Sequence, residues 1–113
     1  MKIPSDADIP DQKLTSYLLI YKPRNDKSKF LAAAGFTEQN PDALKVAIQQ
    51  LIDSAKAIED GINEYGTFYR VDGEIVGING ECLTVTAIWI QRRIDHKFQF
   101  VTLKPFKESR KDA

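Results

Sequence analysis

Apolar residues recur at helical spacing in the first half of the chain and alternate in the second. Leu14, Tyr17, Leu18 and Tyr21 are spaced by three to four positions, which predicts a short helix over 10–20, introduced by Asp8 and Pro10 and ended by Pro23. A second short helix is expected from Lys27 to Ala34. Asn25 or Asp26 can cap it, the run Ala32–Ala34 favours it, and Gly35 suits the left-handed position just past its end, after which Phe36 packs back. Asn40-Pro41 is the clearest helix start, and Leu44, Ala47, Ile48, Leu51, Ile52, Ala55 and Ile58 then mark one stripe to about residue 59. This is the longest helix and the expected cover of the core. Asp53, Glu59, Asp60 and Glu64 load its C-terminal end with negative charge, against the helix dipole and without an evident structural reason.

After Gly61 the period falls to two, and β-branched and aromatic residues predict strands over 67–78, 81–93 and 98–104. Asn79-Gly80 signals a type I′ hairpin, which needs positive φ at both central residues. That turn would set Ile78 opposite Glu81, Val76 opposite Leu83, Arg70 opposite Trp89 and Tyr69 opposite Ile90. A loop over 94–97 would set Arg93 opposite Phe98, Ile90 opposite Val101 and Trp89 opposite Thr102. One face then collects Tyr69, Val71, Ile75, Ile88, Ile90, Val101 and Leu103 as the core. The other mixes aromatics with both charge signs: Phe68, Arg70, Asp72, Glu74, Val85, Trp89, Gln91, Phe100, Thr102 and Lys104. The fold class expected is α+β, with two short N-terminal helices and one long one on one face of a three-stranded antiparallel meander.

Composition changes little in this picture. The 113 residues, 42% hydrophobic and 28% charged, suit one self-folding domain over 1–113, with 1–8 and 106–113 as flexible tails. Sixteen basic residues balance sixteen acidic ones, so attraction to nucleic acid or an anionic membrane has to come from a local patch. The lone Cys82 makes no internal disulfide, and no apolar run approaches the length of a membrane span, which points to the cytoplasm.

Catalytic inventory is thin. The only histidine, His96, falls in the turn Asp95-His96-Lys97 and reads as a solvated residue. Cys82 reads as a small buried hydrophobe on the core face. Gly73, Gly77 and Gly80 belong to a strand and its hairpin rather than to a phosphate-cradling loop. Glu59, Asp60 and Glu64 read as a helix end running into a loop rather than as metal ligands, so neither metal nor cofactor is expected. The most basic stretch before the C-terminus, Lys22, Arg24, Lys27 and Lys29 against Asp26, reads as a solvated turn. The mixed sheet face is left as the candidate surface: Arg70, Trp89 and Thr102 as a row, with Phe68, Phe100 and Lys104 beside it. Aromatics interleaved with cations can stack bases and pair phosphates, or form a contact with protein.

The series Lys27-Ser28-Lys29-Phe30, Gly35-Phe36-Thr37, Asn63-Glu64-Tyr65-Gly66-Thr67-Phe68-Tyr69, Asn79-Gly80, Thr86-Ala87-Ile88-Trp89 and Phe100-Val101-Thr102-Leu103-Lys104-Pro105 resembles a family of small bacterial proteins, common in cyanobacteria and known only as a domain of unknown function. The resemblance spans about residues 1–105 and brings no activity. In layout the chain is also similar, more distantly, to toxin-type ribonucleases of the barnase, EndoU, colicin and RelE group, whose N-terminal helices precede a meandering sheet that carries the site. Such enzymes often place a histidine or lysine on the helix before the sheet, where Lys27 and Lys29 stand here. Two functions follow. One is a non-enzymatic module whose mixed face binds a small protein partner or a second copy of the chain. The other is a toxin-like domain that binds or cleaves RNA without a metal, using Lys27, Lys29, Arg70, Trp89 and Thr102, with Tyr65 as a further candidate at the helix-to-sheet side.

Overall fold

A computed structural model describes residues 2–4, 6–10, 27–37 and 39–106; the helix expected over 10–20 lies outside them, as do residues 107–113. The described elements are α1 (Lys27–Ala32), α2 (Pro41–Ser54), β1 (Ala57–Asn63), β2 (Gly66–Val76), β3 (Cys82–Arg92) and β4 (Phe98–Pro105). The fold is α+β. Its antiparallel sheet has four strands rather than three, in the order β1-β2-β3-β4.

α1 ends as its sequence predicts. Gly35 has φ +91, the Phe36 N–H donates to the Leu31 carbonyl at 3.1 Å and the Gly35 N–H donates to that of Ala32 at 2.9 Å. This Schellman pattern brings Phe36 onto Leu31, and both are buried. Asn40 does precede α2, but its side chain does not cap the helix. Its Oδ1 accepts from the Thr37 N–H at 2.8 Å and its Nδ2 donates to the Gly35 carbonyl at 3.1 Å, so it ties the inter-helix loop back to the end of α1.

α2 stops at Ser54, five residues earlier than expected, because Ala55 turns to extended backbone at φ −121 and ψ 151. Ala55 and Ile58 happen to stay in phase with the helical stripe, which disguises the strand that follows. Glu59 and Asp60 therefore sit on edge strand β1 and Glu64 in the next turn, so only Asp53 opposes the dipole. Lys2 offsets it from outside the helix: its Nζ donates to the Asp53 carbonyl at 2.9 Å. Near the N-terminus, Ile3 is buried and Asp8 is bridged to Gln99.

The register is displaced by one residue from expectation. Val76 faces Cys82, Arg70 faces Ile88 and Tyr69 faces Trp89. The turn has three residues rather than two: Gly80 N–H donates to Gly77 O at 3.1 Å, Gly77 N–H donates to Glu81 O at 2.7 Å, and Gly80 takes φ +87. Asn79 does not adopt the positive φ that a type I′ turn demands. Between β3 and β4, Ile88 faces Thr102 but Trp89 faces Phe100, which leaves Val101 as a bulge.

Because side chains alternate with period two, this shift exchanges the faces of β3 and part of β4. Tyr69, Val71, Ile75 and Leu103 do line the core side. Ile88, Ile90 and Val101 do not; Val85, Ala87, Trp89 and Phe100 take their place, each fully buried. Trp89 meets Phe100 edge-on at 5.4 Å between ring centroids, and Tyr69 meets Phe98 at 5.6 Å. Leu44, Ala47, Ile48, Leu51 and Ile52 of α2 complete this core with Leu31 and Ala34 from the α1 end.

Trp89→Ala is expected to cost about 3–5 kcal/mol, and Ile88→Ala or Ile90→Ala clearly less, in urea denaturation; equal losses would contradict the face assignment. Asn40→Asp tests the reversed role of that side chain. Aspartate is as good an N-cap as asparagine, but here it loses the bond to Gly35 and sets an oxygen against a carbonyl. A loss of about 1 kcal/mol is expected in thermal melts.

Candidate functional site

The face of the sheet turned away from the helices carries two cross-strand rows. Arg70, Ile88 and Thr102 form one, and Asp72, Thr86 and Lys104 the next. Alternation in β2 and β3 puts Arg70 beside Asp72 and Ile88 beside Thr86 on this face, while β1 contributes Asp60 from the irregularity between Glu59 and Gly61. Asp60, Arg70, Asp72, Thr86, Ile88 and Lys104, closed at one end by Pro105 and Phe106, line a cavity of about 410 Å³.

The Asp72 carboxylate organises this cavity. Its Oδ1 accepts the Thr86 hydroxyl at 2.6 Å, and its Oδ2 lies 3.4 Å from Arg70 Nε. Thr86 is the one buried polar side chain among the described residues, and the short bond to a carboxylate satisfies its hydroxyl. Arg70 and Lys104 remain exposed. They stand on β2 and β4 with β3 between them, a separation of roughly 10 Å at two strand spacings. The walls hold two cations and two carboxylates, so the site is ordered by position rather than by net charge.

A second cavity of about 610 Å³ is lined by Glu64, Tyr65, Ile90, Arg92, Arg93, Ile94 and Gln99. Tyr65 and Ile94 are exposed to 68% and 90%. The loop beside it is fixed by Arg92, which donates to Asp95 through both Nε and Nη2, and by the Lys97 N–H, which donates to Asp95 Oδ1 at 3.0 Å. The Arg92 hydrogen bond, followed by that from Lys97, holds the Asp95 carboxyl at about 2, below its ordinary 3.8.

The candidate residues are thus divided. Arg70, Thr102, Lys104 and Phe68 share the open face, but Trp89 and Phe100 are in the core, so no Arg70–Trp89 stack exists and Ile88 occupies the centre of the row. Tyr65 stands in the β1–β2 turn. Lys27 and Lys29 open α1, whose Leu31 belongs to the core on the opposite side of the sheet; their side chains lie outside the described part. His96 is exposed in the β3–β4 loop with φ 60, as its turn context predicts. Cys82 is exposed rather than buried, a direct consequence of the register shift. Asp60 and Glu64 line different cavities, and among the described residues no group of three His, Cys, Asp or Glu side chains is placed to hold a metal ion. Sequence reasoning missed Asp60, Asp72 and Thr86 as site residues. Asp72 and Thr86 become neighbours only once Gly80 is taken as the last residue of a three-residue turn.

An α+β domain with helices on one side of an antiparallel sheet and a polar cavity on the other is the class that this geometry defines. The chain belongs to the family described as a domain of unknown function (DUF6883), whose model matches residues 3–107, so the resemblance to an uncharacterised domain family holds. Among solved structures, a chain of a contact-dependent growth inhibition toxin–immunity protein complex from Klebsiella pneumoniae 342 is similar in fold, with a TM-score of 0.70 and 14% identity over 92% of this chain and 97% of that one. No curated protein matches. Among the described residues, no helix is long and apolar enough to cross a membrane.

The Asp95 contacts have a pH signature. A carboxyl whose folded pKa is lowered adds stability that is fully present above its unfolded value near 3.8 and is lost as the pH falls through about 2. An NMR titration should place the Asp95 midpoint near 2, and in Arg92→Ala it should move up toward the ordinary value; an unmoved midpoint would show that Arg92 is not its main partner.

Proposed function

We propose that the open sheet face is the working surface of a toxin-type domain that binds RNA and cleaves its phosphodiester backbone. One observation carries this reading: Arg70 and Lys104 project from β2 and β4 into one cavity, over a carboxylate already hydrogen-bonded to a buried hydroxyl. Cleavage by the neighbouring 2′-hydroxyl can use these groups. Asp72 accepts the 2′-hydroxyl proton as that oxygen bonds to phosphorus, and Thr86 holds the carboxylate in place. The phosphorus–5′-oxygen bond then breaks, the leaving oxygen takes the proton back, and the products are a 2′,3′-cyclic phosphate and a 5′-hydroxyl. Arg70 and Lys104 stabilise the added negative charge on the phosphoryl oxygens. The layout of helices before a meander, and a fold neighbour that comes from a toxin–immunity complex, support the same reading.

The other reading, a module that binds a small protein partner or a second copy of the chain in the cytoplasm, draws on the exposed Ile62, Tyr65 and Ile94. On that reading the Asp72–Thr86 bond only satisfies a buried hydroxyl. The test is incubation of the purified protein with end-labelled single-stranded RNA, with and without a chelator. Cleavage that persists in chelator and leaves cyclic phosphate ends is expected. Asp72→Asn should reduce it by roughly a hundredfold or more. Replacing Arg70 and Lys104 together by Ala should weaken binding and flatten its salt dependence. RNA left intact and unbound at low salt would overturn the proposal in favour of the protein-binding module.

A further inference from the structure

Tyr65 combines an exposed ring with an immobilised backbone. The Asn63 side chain accepts from the N–H groups of Tyr65 at 2.8 Å and Gly66 at 3.3 Å, and the Tyr65 carbonyl accepts from Arg93 N–H at 3.0 Å. Gly66 presses the turn against β3 so closely that a Cβ there would lie 2.2 Å from the Gln91 carbonyl, so no other residue fits. A turn held this firmly nevertheless presents a tyrosine that is 68% exposed, beside Ile94 at 90%. An accessible ring carried on a fixed backbone lowers the entropic cost of stacking a planar ligand.

The position of this ring relative to the charged cavity identifies the ligand. Ile88 lines the first cavity and Ile90 the second, and they are same-face neighbours on β3, about 7 Å apart. The two cavities therefore lie on one face of the sheet, with Tyr65 opposite Arg93 and Arg70 opposite Ile88, five residues and roughly 17 Å apart along the strands. One offers cations and a carboxylate; the other offers an aromatic ring, two isoleucines and the guanidinium groups of Arg92 and Arg93. A single strand of RNA can span that distance over more than one nucleotide, with its backbone at the polar cavity and an unpaired base at the ring.

We infer that Tyr65 is the stacking platform for a base of single-stranded RNA that lies more than one nucleotide along the strand from the phosphate held by Arg70 and Lys104. The inference rests on the proposed RNA function and extends it: the substrate is unpaired, because a base must be splayed from its neighbours to reach the ring. The probe is a fluorescent single-stranded RNA carrying 2′-O-methyl groups, which block attack by the 2′-oxygen, read by anisotropy. Tyr65→Ala should weaken its binding by roughly ten- to a hundredfold, and Tyr65→Phe should keep it near the parent. An oligonucleotide with abasic positions should bind the parent and Tyr65→Ala equally. A duplex of the same sequence should bind much more weakly than the single strand.

The outcomes separate the two levels. If Arg70→Ala/Lys104→Ala loses the oligonucleotide while Tyr65→Ala binds it like the parent, the platform is wrong and the phosphate site stands. If the parent itself binds no RNA, both fall. If Tyr65→Ala leaves RNA binding intact but dissolves a dimer seen by light scattering, the ring belongs to a protein contact and the inference is overturned.

Discussion

The turn at Ile78, Asn79 and Gly80 sets the register between β2 and β3, and that register decides which side chains on three strands can meet water. The turn is fixed from outside the sheet. Gly77 lies so near the Ala34 carbonyl that a Cβ would stand 2.0 Å from it, and Asn79 Nδ2 donates to the Ala33 carbonyl at 2.9 Å. The hairpin thus satisfies carbonyls that the end of α1 leaves unpaired, while Asn79 Oδ1 accepts from the Glu81 N–H and holds the turn itself. Helix and sheet specify each other here. A slip by one residue would expose Trp89 and Phe100 together and cost the bulk of the aromatic core.

That dependence on a tertiary contact explains what could be read from the sequence and what could not. Asn79-Gly80 correctly marks a hairpin, but it serves a two-residue type I′ turn and a three-residue turn ending in a left-handed glycine equally well; contact with Ala33 and Ala34 selects the second. The strands give little help in choosing. β2 alternates cleanly through Tyr69, Val71 and Ile75, whereas in β3 Val85, Ala87 and Trp89 are interleaved with Ile88 and Ile90, so both parities are apolar. β1 was hidden for a different reason: its two acids and Gly61 lower strand propensity, and Ile58 extends the stripe of α2. The end of α1 rests on local chemistry and is found where the left-handed Gly35 puts it; α2 starts at Pro41 as expected, although the Asn40 side chain caps nothing.

The same register gives the polar site its character. Thr86 is carried into a nearly dry position, where an unpaired hydroxyl would be costly, and Asp72 supplies the bond across the strand pair. Trp89, one register step toward the other face, gets no such relief: among the described residues its buried Nε1–H has no hydrogen-bond partner. A buried indole donor left unpaired costs roughly 1–3 kcal/mol, which the packing of Trp89 on Phe100 offsets.

The edges of the sheet argue that its face is the surface left for a ligand. Along β4, the N-terminal segment covers part of the rim: the Asp8 N–H donates to Phe98 O at 3.0 Å and the Phe100 N–H donates to Asp8 O at 2.8 Å. At the other side β1 carries Glu59, Asp60 and an irregular pairing, features that discourage another strand from docking. Addition of a partner strand is thus disfavoured at both edges. The face between them carries two cavities, one lined by Arg70, Lys104 and Ile88 and the other by Tyr65 and Ile90. A ligand that needs no free backbone edge can still reach this face, whereas a partner strand finds neither rim open for pairing.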